Sequence, residues 1–182
     1  MAAAIGVFFR FGFRKTSMDE VARAARISRQ GLYLHFSTKE ELFRASVQYA
    51  LDTALEGATA ALADATLPLE KRLVGAFDAW VGPFVGLPTA NIPELMAVTS
   101  DLVGPLVTER EGRFVEGVTA ALRGSGLSWA YKPAGLAARQ LADTLCATAR
   151  GLKHSATRAA FVEAMAVAVR AMCLPLRDGA AR

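Results

Sequence analysis

The side chains with the chemistry to form an active site are few. The chain holds two histidines, His35 and His154, and two cysteines, Cys146 and Cys173. It contains no paired-histidine metal spacing, glycine-rich phosphate loop, G-x-S-x-G elbow or Cys–His arrangement. No enzymatic activity, cofactor or metal is therefore expected. What the sequence does concentrate is positive charge. Residues 1–50 carry eight Lys/Arg against four Asp/Glu, whereas residues 51–182 carry thirteen of each, so the whole net charge of +4 lies in the first quarter. A local excess of this kind is the footprint of a polyanion, either nucleic acid or an anionic membrane surface. A solvated basic face would look the same by charge alone.

The elements that carry these charges are helical. The 182 residues include 36 alanines, 53% are hydrophobic, and apolar positions recur at three- and four-residue steps with no sustained alternation. Ser17 with Glu20 spells a capping box, Ser28 is placed to cap a short segment, and Ser37 or Thr38 with Glu40 or Glu41 opens a long one. Pro68, Pro93, Pro105 and Pro133 sit where proline suits the first turn of a helix. The pattern predicts an all-α fold of about nine helices, near 2–11, 18–25, 28–36, 38–64, 68–85, 93–102, 105–123, 133–154 and 157–174. The long fourth helix would join a small domain, 1–47, to a larger one, 48–182. No secretory leader or membrane span is expected; the longest charge-free run, Ala79 to Pro93, is short and proline-broken. Two cysteines are too few for a disulfide scaffold and fit a reducing compartment, so the expected location is cytoplasmic.

Between Thr16 and Lys39, two short helices are separated only by Arg26-Ile27-Ser28. So tight a link forces a steep crossing, as in a helix-turn-helix. Val21, Ala22, Ala25, Ile27, Leu32 and Phe36 would form the inner faces. Arg29, Gln30, Tyr33 and Leu34 would lie on the outer face of the second helix, which fits a major groove. There arginine pairs with guanine O6/N7 and glutamine with adenine N6/N7. Ser17, Tyr33, His35 and Lys39 would reach flanking phosphates, and the helix start at Ser28 favours an anion.

Gly12-Phe13, Thr16 to Ala22, Ala25, Ile27-Ser28, Leu32-Tyr33, His35-Phe36 and Lys39 to Leu42 together resemble the N-terminal domain of tetracycline-repressor (TetR) family regulators over about residues 2–47. The resemblance implies an all-helical homodimer with N-terminal DNA-binding and C-terminal ligand-binding domains. It also implies repression relieved by a small molecule, in the cytoplasm or on the nucleoid. By the same resemblance Arg29, Gln30 and Gly31 fall where bases are read, and Ser17, Tyr33, His35 and Lys39 where the backbone is contacted. Two departures stand out. Arg26 replaces the usual turn glycine, at a cost of about 1 kcal/mol if that residue is left-handed. The first helix also begins at the first residues, without the basic arm that usually precedes it.

In the larger domain, charges on 133–154 and 157–174 are confined to narrow stripes. In the first segment these are Arg139, Asp143, Arg150 and Lys153; in the second, Glu163 and Arg170, with Arg177 beyond the helix end. The remaining circumference is apolar, which predicts an isologous four-helix interface with a second subunit. Phe77, Trp80, Phe84, Met96, Phe114, Val118 and Cys146 are expected to line a pocket for a lipophilic effector. The competing reading is a dimeric helical adaptor that keeps a helix-turn-helix but binds protein instead of DNA.

Overall fold

The computed structural model describes residues 1–87 and 92–179. Among them there is no strand. The helices are α1 Ala2–Phe11, α2 Met18–Ala25, α3 Arg29–Tyr33, α4 Lys39–Ala63, α5 Leu69–Val81, α6 Ile92–Gly124, α7 Leu127–Ala130, α8 Ala138–Leu152 and α9 Arg158–Gly179. Short 3-10 turns cover Gly82–Phe84 and Lys132–Ala134.

The chain divides into two compact units, and not at the expected 47/48 boundary. One comprises Met1–Thr53 with Leu87–Arg110, the other Ala54–Gly86 with Glu111–Arg182. Thus α4 and α6 each begin in the first unit and end in the second.

The first unit is built on α1, α2, α3 and the start of α4. Ala4, Val7 and Phe8 of α1, Val21 and Ala22 of α2, Leu32 of α3, and Leu42, Phe43 and Val47 of α4 share one buried cluster. Its centre is aromatic: Phe43 meets Phe8 edge-on at 5.0 Å and Phe13 edge-on at 5.2 Å. The first half of α6 completes it with Leu95 and Val103. The Glu94 carboxylate accepts a hydrogen bond from the Arg14 amide at 2.6 Å, and Arg110 donates to Asp52 at 2.7 Å. The two helices expected over 93–102 and 105–123 form this one element, α6, bent at Val103 (φ −141°, ψ 15°). Pro105 accounts for the bend, because it has no amide to donate and its ring crowds the carbonyl four residues back.

The second unit packs α5 against α9, and α8 against both. Phe161, Met165, Val169 and Cys173 line the inner face of α9, opposite Leu141, Ala142, Leu145 and Ala149 of α8 and Leu73, Ala76 and Phe77 of α5. Arg158 clamps Asp78 with two hydrogen bonds, at 2.6 and 2.9 Å. Tyr131 donates to the Met172 carbonyl at 3.0 Å.

Three sequence expectations change here. Pro133 does not start a long helix: it sits in the 3-10 turn Lys132–Ala134, which ends on left-handed Gly135 (φ 70°), and α8 begins only at Ala138. Helix α9 does not stop at 174 but runs through Pro175, since a proline in the last turns forfeits one hydrogen bond near a fraying end. It therefore includes residue 177, whose side chain lies outside the described residues, as do residues 88–91 of the expected proline-rich loop. Finally, Arg158–Leu176 is long and apolar enough to cross a bilayer, with a mean hydropathy of 1.7, contrary to the expectation that no segment is. Its buried face is nonetheless part of the second unit's core.

Candidate nucleic-acid interface

The short α3 is fixed at both ends by local chemistry. Ser28 adopts an extended backbone and its hydroxyl accepts the Gly31 amide at 2.9 Å, satisfying one of the orphan donors of the first turn. A Cβ on Gly31 would come within 3.1 Å of that hydroxyl, so a bare residue suits the position. Leu32 anchors the inner face at 4% exposure. Upstream, α2 begins with the expected capping box. The Ser17 hydroxyl accepts from the Glu20 amide, and the Glu20 carboxylate accepts from the Ser17 amide at 2.8 Å. The Ser17 amide and hydroxyl both donate to the Glu20 carboxylate and hold it below its ordinary pKa.

The link between the two helices turns on Arg26. Its backbone is left-handed (φ 57°, ψ 39°), and it is the sole non-glycine residue with positive φ among those described. The Ile27 amide reaches back to the Ala22 carbonyl at 3.0 Å, the six-residue bond of a Schellman turn, and this closure requires the left-handed step. The expected glycine position is thus occupied by an arginine in the glycine conformation. Ile27 departs from its expected inner place, being 45% exposed.

On the outer side, Arg29, Gln30, Tyr33 and His35 are all exposed. The Arg29 guanidinium lies 5.5 Å from the centre of the Tyr33 ring and pairs with Asp19 at 3.1 Å. Both partners are well solvated, so the pair orients Arg29 without adding much stability. Lys39 stands at the start of α4 with its ammonium 4.6 Å from the Phe13 ring centre and 3.4 Å from the Arg14 carbonyl oxygen. The structure therefore brings Ser28, Arg29, Gln30, Gly31 and Tyr33 together on one short helix, with Ser17, His35 and Lys39 in the flanking segments of the same unit. Leu34, singled out from spacing alone, completes the outer face at 79% exposure.

The expected effector residues are divided between the two units. Phe77, Phe114 and Val118 are buried together in the second unit, with Trp80 and Cys146 packed against them. Phe77 meets Phe114 edge-on at 5.2 Å and Trp80 lies flat on Phe114 at 5.0 Å. Phe84 is half-buried in the 3-10 turn after α5. Met96 belongs to the other unit, where its side chain is 61% exposed while the neighbouring Leu95 takes the buried place. A concavity of about 390 Å³ in the second unit has a different lining, including Arg123, Ser128, Lys132, Leu136 and Arg139. Its residues come from the end of α6, from α7 and from the segment around Pro133, part of which the sequence pattern assigns to a helix over 133–154. Burial pushes the Cys146 thiol up to about 11, which makes it a packing residue at neutral pH.

Residues 1–46 match the sequence model of the family described as "Bacterial regulatory proteins, tetR family". The chain is 44% identical over 55 residues to the HTH-type transcriptional regulator YfiR of Bacillus subtilis, a stretch that is 30% of this chain and 27% of YfiR. It is 38% identical over 80 residues to the HTH-type transcriptional activator FasR of Mycolicibacterium smegmatis, covering 44% of this chain and 36% of FasR. The matched stretches thus span about a third or less of these relatives. The crystal structure of a TetR-like transcriptional regulator from Rhodococcus aligns with all of this chain and 93% of its own, at 26% identity and a TM-score of 0.62. With the helix-turn-helix geometry in its first unit, the chain is similar over residues 1–46 to the tetR family of bacterial regulatory proteins, and along its length it shares the fold of a TetR-like regulator.

Proposed function

We propose that the chain is a cytoplasmic DNA-binding transcriptional regulator. It works as a homodimer that represses from a near-palindromic operator and lets go when a small lipophilic effector binds. The observation that carries this reading is the outer face of α3. Arg29 and Gln30, the two side chains suited to bidentate base contacts, stand exposed beside Tyr33, while Leu32 pins the opposite face to the core. Ser17, Tyr33, His35 and Lys39 supply phosphate contacts from the same unit, and the uncapped amides at the start of α3 favour an anion.

Homodimerisation through α8 and α9 is supported by a ridge along α9. Ala160, Ala164, Val167, Ala171 and Leu174 recur at steps of four and three, and Val167 and Leu174 are 65% and 48% exposed. Small residues in such a ridge allow a close helix crossing between subunits. Two α3 helices would then enter successive major grooves about 34–36 Å apart. The effector would be held in the apolar second unit around Phe77, Trp80, Phe114, Val118 and Cys146, whose rings must part to admit it. It would act through differential affinity for the two arrangements of the reading heads.

The test is selection from a random duplex pool by the purified protein, with the Arg29→Ala/Gln30→Ala double variant as control. A palindromic consensus that the variant fails to enrich is expected; equal enrichment by both proteins, or none by either, overturns the reading. FasR is named an activator. A reporter driven from the recovered operator therefore decides the sign of regulation, lower expression with the protein present being the expected result.

A further inference from the structure

At the C-terminal end of α3, the reading surface carries an apolar side chain that stands almost wholly in solvent. Leu34 is 79% exposed, and two residues earlier Leu32 is 4% exposed. A two-residue step turns the helix by about 200°, which places the pair on opposite sides. The Leu34 amide donates to the Gln30 carbonyl at 3.0 Å and its backbone is helical (φ −66°, ψ −24°), so the turn carries it one step past Tyr33. Leu34 therefore lies one turn beyond Gln30 on the same face. The polar members of that face already have roles or partners, since Tyr33 lies under the Arg29 guanidinium. Leu34 is an isobutyl group held out beside a hydrogen-bond reader, within the first 50 residues, where the chain's net positive charge of +4 is concentrated.

A major groove offers such a group one apolar partner. Of the base edges exposed there, all present hydrogen-bond donors or acceptors, and thymine alone adds a methyl group, at C5. We propose that Leu34 is a specificity-determining residue that contacts a thymine C5-methyl next to the base read by Gln30. The inference rests on the DNA-binding reading and goes beyond it by naming the base and the atom.

The experiment uses the full chain and the duplex recovered by pool selection. Each thymine in one half-site is replaced in turn by deoxyuridine, which deletes the methyl and leaves pairing intact. Equilibrium binding is then measured for the parent protein and for Leu34→Ala, whose exposed side chain leaves the thermal midpoint unchanged. One position is expected at which deoxyuridine weakens the parent about fourfold, the worth of one buried methyl group, and leaves Leu34→Ala unaffected. The inference is overturned if no position shows a penalty, or if the penalty is as large in Leu34→Ala. If no duplex is enriched, or if the Arg29→Ala/Gln30→Ala variant enriches the same one, the DNA-binding reading fails and takes the inference with it.

Discussion

Replacing Arg26 with glycine is expected to stabilise the N-terminal unit. Arg26 sits at φ 57°, ψ 39°, where its Cβ crowds the neighbouring carbonyl, and this conformation costs an L-residue about 1–2 kcal/mol. Glycine pays nothing there but gains freedom in the unfolded chain, which takes back about 0.4–1 kcal/mol. The balance is a gain of about 0.5–1 kcal/mol. For a chain of this size that raises the midpoint of thermal unfolding by about 1–4 °C. The Arg26 side chain is exposed, so little packing is lost with it. Arg26→Ala keeps the left-handed strain and serves as the control, with a midpoint within about 1 °C of the parent. Paired circular-dichroism melts of the three proteins make the comparison. If Arg26→Gly melts at or below Arg26→Ala, the strain argument for this turn is refuted.

Other consequences can be checked in the same preparations. Phe114 is 3% exposed between Phe77 and Trp80, so Phe114→Ala should cost about 3–5 kcal/mol in urea unfolding and shift Trp80 fluorescence as its stacking partner is removed. Cys146, with its thiol near 11, should alkylate at pH 8 about a hundredfold more slowly than a thiol at the ordinary 9.0, read by mass spectrometry on the folded protein. The Glu20 carboxyl is held below 4.5 by the Ser17 amide and hydroxyl. Its contribution to stability is therefore complete above that pH and disappears as the pH falls through the depressed value. Urea midpoints of the parent and Glu20→Gln should differ at pH 7 and draw together as the solution is acidified through the depressed pKa.

Local signals were legible wherever the chemistry closes within a few residues. The start of α2 could be read because Ser17 and Glu20 satisfy each other three residues apart, and an interruption before Pro105, expected as a break between two helices and found as a bend, because proline disrupts its own neighbourhood. Arg26 drew notice through the family resemblance, which implies a glycine at the turn, and the left-handed backbone there accounts for that preference. What escaped was set at long range. Glu94 bonds the Arg14 amide across eighty residues, and Leu95 and Val103 fill a core made mostly by residues before 50. The segment 87–110 therefore joins the first unit, and Met96 with it. Ile27 follows the apolar pattern of a core residue, yet it stands 45% exposed at the turn. Pro133 fits a helix start by type, but Gly135 ends the turn first.

The brevity of α3 has an evolutionary consequence. Five residues cannot hold a helix by themselves, so its order comes from Ser28 at one end and from Leu32 in the core. Positions 29, 30, 33 and 34 contribute almost nothing to that order. Selection can therefore exchange them without endangering the fold, and the address on DNA can drift while the protein that carries it stays intact. A library randomised at those four positions should be mostly folded and richly varied in the sequences it recognises.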